Sequence, residues 1–586
     1  MTKTLLRAAT APVVCALLLS AGCNWYKQEP IPFDPRSLQQ SQRVAAVGQE
    51  SEIRRPLPTT LESPFVQPTG TGNNTGRGRA QATTQPTAPP TTGPALTEDP
   101  VLRMPLQEIM QRAVANNLDV KVAGFGPAIE STRVVEAEAR YDPTFFINSQ
   151  FQRNERAQAT SFESTENADI WTTQVGVRQN LPSGGQAELR YEANRTEVET
   201  GQFQQFDPNP FYTSDIVLQV TQPILRDFGN EINRARILIS RNNQRISLLD
   251  FRQQLEETAA NIEQTYWQLV QAERNVRINE RLLDETLRTA EVLWRRRGQD
   301  VTRVQLSQAN ASVEERRVAL IGFKARVRDL SDQLKRLMND PDLPVSSETL
   351  ILPGSPPVLE PVRFDLGDQI NTALEHRLEL GQQQLRVDSS RIAADVAKNN
   401  LLPQLNIIGS LSVNGLDENY GDAVSDQFEF DNTGWAFGFQ FEIPLGNRAA
   451  RATNQRARLQ QQQAITQYAN LIEQVALDVR TAMRDVDTRW DQIIASRQSR
   501  FAQEDALLAI QQREDAGEQL TPTFVQLKLD QQERFAQAAA QETEAISNYN
   551  NALAVLERAK GTLLRYNNII MEEAPVPANE ATSSSR

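Results

Sequence analysis

The sequence predicts a mixed fold: long α-helical hairpins carrying a small set of membrane-type β-strands, with the arrangement built twice. The first observation is residues 447–516, which hold no proline or glycine and place Tyr468, Ile472, Val475, Val479, Met483, Val486, Trp490 and Ile494 at steps of 4, 3, 4, 4, 3, 4 and 4. That is a helix stripe near the heptad repeat, on a helix about 100 Å long. The second is residues 230–297, where Leu255, Ala259, Ile262, Tyr266 and Leu269 keep the 4, 3 spacing and Gly298 ends the run, as Gly517 ends the other. The flanks repeat too, Gln222-Pro223-Ile224-Leu225 before one run and Ile443-Pro444-Leu445-Gly446 before the other, which points to an internal duplication. The third is a change of period from helical to two after Pro143 and again after Pro403, the alternation of a strand.

Composition fits this class. The chain has 586 residues, only 6% of them aromatic, and a mean hydropathy of -0.50. Long helices that each bury one stripe suit such a sequence better than a large conventional core. A formal net charge of -13 argues against a nucleic-acid surface.

Residues 1–22 read as a signal peptide. Lys3 and Arg7 are its basic start, and 8–19 is an apolar run too short to span a membrane as a mature helix. Ala21-Gly22-Cys23 resembles the bacterial lipoprotein processing signal, which makes Cys23 the lipidated first residue, although Ser20 stands where leucine is usual. Asn24 follows, not the aspartate of inner-membrane retention. Cys15 goes with the signal, so no intrachain disulfide and no thiolate metal site are expected. Residues 23–98, rich in Pro, Thr and Gly, read as a disordered tether, and 574–586 as a disordered tail.

The first repeat is expected over 99–340. Pro105, Leu106, Ile109, Ala113 and Leu118 open a helical stripe, Asn116-Asn117-Leu118-Asp119 interrupts it, and Tyr141-Asp142-Pro143 ends it. Strands are expected at 144–154, 171–179, 186–194 and 215–222, with a tight turn at Leu181-Pro182-Ser183-Gly184-Gly185. Helix resumes at 230–297, turns at Gly298 and returns over 301–338. A proline-rich connector, 341–363, leads to the second repeat, 364–573. There Leu366, Ile370, Ala373 and Leu378 give the stripe, and Leu118 to Pro143 and Leu378 to Pro403 are both 25 positions. His376, the single histidine, reads as a helix-junction residue. Strands at 405–414 and 435–443 follow, the latter aligning Trp435, Phe437, Phe439, Phe441 and Ile443, and helix returns beyond Gly517 over 522–570. The longer polar connections between strands, 155–170, 195–214 and 415–434, read as loops. Aromatic side chains aligned on one face serve either a sandwich core or, beside a lipoprotein signal, a lipid-facing barrel wall.

These linked features resemble the TolC-like outer-membrane efflux family: the units ending at Pro143 and Pro403, the strands ending at Pro223 and Pro444, and the hairpins turning at Gly298 and Gly517. The resemblance covers most of 104–570. It implies a homotrimer in which each protomer gives strands to one shared outer-membrane β-barrel and helices to a long α-helical periplasmic tunnel. It also implies passive export, with a periplasmic membrane-fusion adaptor protein and an inner-membrane transporter as partners. The four prolines become helix–barrel junctions. Gly298, Asp300, Gly517 and Glu518 become the tips that meet the adaptor. Trp171, Tyr191, Trp435, Phe437, Phe439 and Phe441 become aromatics facing outer-membrane lipid. Two departures stand out: the usual aspartate pattern beyond the tip glycine is displaced, leaving Asp300 and Glu518 as the acids, and the first repeat carries an extra hairpin, 171–194. With that hairpin in the wall the trimer closes eighteen strands. With it outside the wall, twelve remain.

No phosphate-binding glycine loop, metal-ligand spacing or nucleophile motif is present in the sequence. No enzyme activity, cofactor, metal or nucleic-acid partner is expected. The rival class is a non-conducting structural or adhesive lipoprotein with a periplasmic coiled coil, against which the aromatic strands count.

Overall fold

All six segments with period-two alternation lie in one antiparallel sheet, and the helical hairpins hang from it. The computed structural model describes residues 100–155, 167–199, 207–298 and 301–569. Cys23, Asp300, the tether and the tail fall outside these residues. In order, β1 (Val101–Met104), α1 (Leu106–Asn116) and α2 (Leu118–Glu138) lead through a 3-10 turn at Ala139–Tyr141 to β2 (Thr144–Asn154), β3 (Asn167–Asn180), β4 (Gln186–Glu199) and β5 (Phe211–Pro223). Then come α3 (Asn230–Asn233), α4 (Ala235–Arg295), α5 (Arg303–Met338), β6 (Leu350–Pro353), α6 (Leu366–His376) and α7 (Leu378–Asn399). The chain continues through β7 (Gln404–Asp417), α8 (Tyr420–Phe428), β8 (Thr433–Glu442), α9 (Arg448–Asp515), α10 (Pro522–Ala559) and α11 (Leu563–Tyr566).

The sheet order is β2-β3-β4-β5-β7-β8. The hairpin β3–β4 therefore sits inside the sheet, between β2 and β5, and β2 and β8 are its edges. Strands β3, β4, β5 and β7 run several residues beyond the expected ends, each away from the helices. Pairing with a neighbour carries alternation into polar segments that read as loop.

Helix α9, 68 residues, is about 100 Å long and α4, 61 residues, about 90 Å. Each packs along its return partner, α10 and α5 respectively, while α2 and α7 flank the upper part of α4. Three expectations are corrected. The run 230–297 is broken at Arg234 into α3 and α4. The helix expected over 522–570 stops at Ala559, where Gly561 takes φ +72° and Thr562 N–H turns back to the Glu557 carbonyl. Residues 415–434 are not simply a polar loop but contain α8.

The core lies midway along the helices. Val475, Val479, Val486 and Ile493 of α9 pack against Ile546, Tyr549, Leu553 and Leu556 of α10; this is the stripe read from the sequence except at its end, where Ile493 is buried and the expected Ile494 is exposed. The connector is fastened here. Tyr549 Oη donates to the Glu360 carbonyl (2.8 Å), and Ser355 N–H donates to Tyr266 Oη (2.7 Å). Asn550 bonds both the N–H (2.9 Å) and the carbonyl (3.2 Å) of Val358. The parallel pair β1–β6, unexpected from sequence, ties the chain's described start to the connector.

This belt also buries charge. The Glu256 carboxyl on α4 is pushed up to about 7, first by burial and then by Glu379, against the opposing pull of Arg377 and Arg558. A carboxyl raised in the folded state favours folding below its ordinary 4.5 and loses that contribution as pH rises through about 7. Glu256→Gln is therefore expected to change little at about pH 4 and to stabilise by on the order of 3 kcal/mol at about pH 8. Thermal unfolding of the purified protein at the two pH values checks this.

Candidate functional site

The sheet has two chemically distinct faces. Residues paired across an antiparallel ladder share a face. One row across all six strands reads Phe145, Val177, Leu189, Leu218, Leu411, Trp435. A row on the opposite face, three residues away along each strand, reads Asn148, Gln174, Glu192, Asp215, Asn414 across β2 to β7. Trp171, Trp435, Phe437, Phe439 and Phe441 all stand on the apolar face and are all exposed, Trp435 by 81% and Phe439 by 75%. A large apolar surface open to water on this scale marks an interaction with membrane or protein. Tyr191 shares this face but is half-buried, because its hydroxyl meets Ser214 Oγ (2.8 Å) and Tyr420 Oη (2.8 Å) beneath α8. The polar face carries the ion pairs Arg190–Glu188 (3.1 Å) and Arg190–Glu192 (3.6 Å).

The four prolines gather where sheet meets helix. Pro143 follows the 3-10 turn, Pro223 closes β5 opposite Asn406, Pro403 precedes β7 and Pro444 follows β8. Proline removes a backbone donor and sets φ, so a ladder or helix stops there. The freed groups are satisfied between junctions. Arg226 N–H donates to the Pro403 carbonyl (3.2 Å) and Ile224 N–H to that of Leu405 (2.9 Å). Asp227 N–H donates to Asn399 Oδ1 (2.7 Å), Asn447 Nδ2 to the Leu401 carbonyl (3.1 Å) and Tyr141 Oη to that of Asn233 (2.8 Å). The turn 181–185 is laced in as well, with Gly229 N–H donating to the Ser183 carbonyl (3.1 Å).

The two hairpin turns lie together at the far end of α4 and α9. Gly298 has φ +85° and Gly517 φ +89°, a region open to glycine but costly for other residues. One core joins them: Leu293, Val301 and Ala309 of one hairpin with Ile510, Leu520, Phe524 and Leu529 of the other. Gln305 closes a capping box with Thr302 and donates Nε2 to the Leu520 carbonyl (2.6 Å). Glu518 is held by Arg513 through both oxygens (2.7 and 2.6 Å). Higher up, the buried Arg316 guanidinium links the hairpins, donating to Thr286 Oγ1 of α4 and to the Leu529 carbonyl (2.8 Å) of α10. The sequence singled out Asp300 and Glu518 here and missed Gln305 and Arg316, whose roles depend on a partner over two hundred positions away.

Among the described residues no group of three or more His, Cys, Asp or Glu is placed to hold a metal ion, and no helix is long and apolar enough to cross a membrane. The architecture is an amphipathic antiparallel sheet set on long helical hairpins. Residues 369–562 match the family described as outer membrane efflux protein. The fold matches the Campylobacter jejuni CmeC outer membrane channel at TM-score 0.56 and 18% identity, over 78% of this chain and 86% of that one. It matches the outer membrane protein VceC of Vibrio cholerae at TM-score 0.55 and 16% identity, over 78% and 96%. The open-state Neisseria gonorrhoeae MtrE outer membrane channel matches at TM-score 0.55 and 16% identity, over 78% and 89%. A search of curated proteins found no match. The chain shares the fold of these channels, and the sequence match to the outer membrane efflux protein family is confined to residues 369–562.

Proposed function

We propose that this protein is the outer-membrane duct of a tripartite export pump: a passive, non-enzymatic conduit whose sheet forms part of a closed membrane barrel and whose hairpins form a periplasmic tunnel. One observation carries the reading. A six-stranded sheet with an apolar and a polar face is continuous with helices about 100 Å long. In a bilayer the open edges β2 and β8 need partners. They run antiparallel to one another, so β8 of one copy can pair with β2 of the next, and cyclic repetition closes the wall.

The helices joined to those edges support the same contact. Helix α2, which enters β2, exposes Leu118, Val122, Phe125 and Ile129 at steps of 4, 3 and 4, and α9, which leaves β8, exposes Leu459, Ile465 and Leu477. Edge pairing brings the α2 stripe beside this stretch of α9. Three copies give eighteen strands, within the even-numbered range of outer-membrane barrels, with the aromatic face toward lipid and the Asn/Gln/Glu face toward the lumen. The matched halves support an origin by internal duplication.

The test is migration of mild-detergent membrane extracts with and without boiling, together with conductance in planar bilayers. A trimer that collapses on boiling and opens ion-conducting steps is expected. A non-conducting monomer would sink the proposal.

Two further expectations belong to this reading. Cys23 is the lipidated first residue of the mature chain, so mass spectrometry of the N-terminal peptide returns an acylated cysteine; an unmodified one overturns the anchor. The joined tips are the adaptor contact, so photocrosslinkers at Asp300 and Glu518 capture the membrane-fusion protein. Capture solely from positions beside Pro143 or Pro444 would contradict that placement.

A further inference from the structure

Helix α8 sits where a plain loop was expected, and it is clamped to the apolar face of the sheet. Ala423 and Gln427 are its buried residues. Gln427 Nε2 donates to the Val413 carbonyl (3.0 Å), and Ser214 Oγ donates to Gln427 Oε1 (2.8 Å). A Cβ on Gly415 would lie 2.0 Å from the Ala423 carbonyl oxygen, so β7 has no room for a side chain under the helix. These contacts fix α8 at one height. Ser214 lies nine residues from Pro223, about 30 Å along the strand. On a strand tilted by about 40° that is roughly 23 Å from the junction, close to the far border of an apolar band about 25 Å tall.

The two flanks of α8 differ. Beside the buried pair, Tyr420, Val424 and Phe428 recur at steps of four on one side, and Asp422 and Asp426 recur at the same step on the other. Tyr420 and Phe428 are exposed, and Phe430, just past the helix, is exposed in a left-handed conformation (φ +57°), which is uncommon for a bulky residue. An aromatic flank and an acidic flank on one short helix at the edge of an apolar wall match the boundary between acyl chains and headgroups, where amphipathic aromatic rings concentrate.

We propose that α8 is a rim helix that beds in the outer leaflet: its Tyr420, Val424 and Phe428 flank lies at the acyl–headgroup boundary, and Asp422 and Asp426 face the aqueous layer. The occupant of this surface is membrane lipid, because the exposed aromatics of α8 continue the exposed aromatic face of the sheet. The inference rests on the barrel reading above and adds an outer anchor that fixes the depth of the wall.

Nitroxide labels test it, placed at Phe428→Cys, Tyr420→Cys, Asp422→Cys and Phe437→Cys in the otherwise native chain, with the unsubstituted chain labelled in parallel to subtract any signal from Cys23. Each variant is first shown to assemble, then reconstituted in phosphatidylcholine vesicles. Labels at 428 and 420 are expected to relax more with oxygen, which partitions into lipid, than with a water-soluble nickel complex, by several-fold over the label at 422. A water-like response at 428 and 420 overturns the proposal, and so does a label shielded from both reagents, which indicates protein packing. The label at 437 separates the two readings. If it is lipid-like while 428 is not, only the rim helix fails; if it is water-like, the barrel reading fails and takes the rim helix with it.

Discussion

Phe437→Lys is expected to abolish the detergent-resistant assembly, while Gln440→Lys on the same strand leaves it nearly intact. The two residues differ in face, not in element. Phe437 lies midway along β8 on the aromatic face and pairs with Gly409, whereas Gln440 pairs with Asn406 on the polar face. A lysine at the bilayer midplane on a lipid-facing position costs about 2–4 kcal/mol, and a lumen position tolerates it. Three symmetric copies raise the cost to roughly 6–12 kcal/mol, comparable to the whole stability of many folded domains. Migration of unboiled samples reads the outcome. Native trimer yield from Phe437→Lys would show that this face does not meet lipid. Failure of both variants would instead show that β8 tolerates no charge on either side.

The sheet was legible because its signal is local. Each strand declares its faces by alternation, and β2 begins and ends at the expected residues. The stripe of α9 was equally plain, since Val475, Val479 and Val486 need only one neighbour to bury them. What the sequence hid was non-local or short. Strands β1 and β6 are four residues each and pair in parallel across some 250 positions, so neither has a period long enough to see. Helix α8 spans nine residues and buries only Ala423 and Gln427, one of them polar, so its segment reads as an acidic loop. Gln305 and Arg316 gain their roles from the Leu520 and Leu529 carbonyls, and no local pattern marks a backbone acceptor on another hairpin. Tyr191 shares a face with Leu189, as alternation predicts, but nothing nearby in sequence signals that Tyr420 covers its hydroxyl.

Gly184→Ala is expected to damage the junction far more than Gly517→Ala damages the tip, although both glycines have left-handed backbones (φ +94° and +89°). That shared conformation costs a non-glycine residue about 1–2 kcal/mol at either site. Space separates them. Around Gly517 nothing lies within 4 Å of an added Cβ, whereas at Gly184 it would lie 2.0 Å from the Asp227 carbonyl oxygen and 2.6 Å from Asn233 Nδ2. These groups already bond one another, Asn233 Nδ2 donating to the Asp227 carbonyl (2.7 Å). The backbone cannot yield without disturbing Asp227 N–H, which donates to Asn399 Oδ1 at the end of α7. Overpacking of a filled site adds about 1–3 kcal/mol, occasionally more. The loss falls where β4, β5, α3 and α7 converge, so Gly184→Ala lowers both the thermal midpoint and the trimer yield, while Gly517→Ala lowers the midpoint slightly and leaves the yield. Parallel melting curves in detergent decide it: equal losses from the two variants would mean that the turn 181–185 is a passive loop rather than the piece that locks sheet to helices.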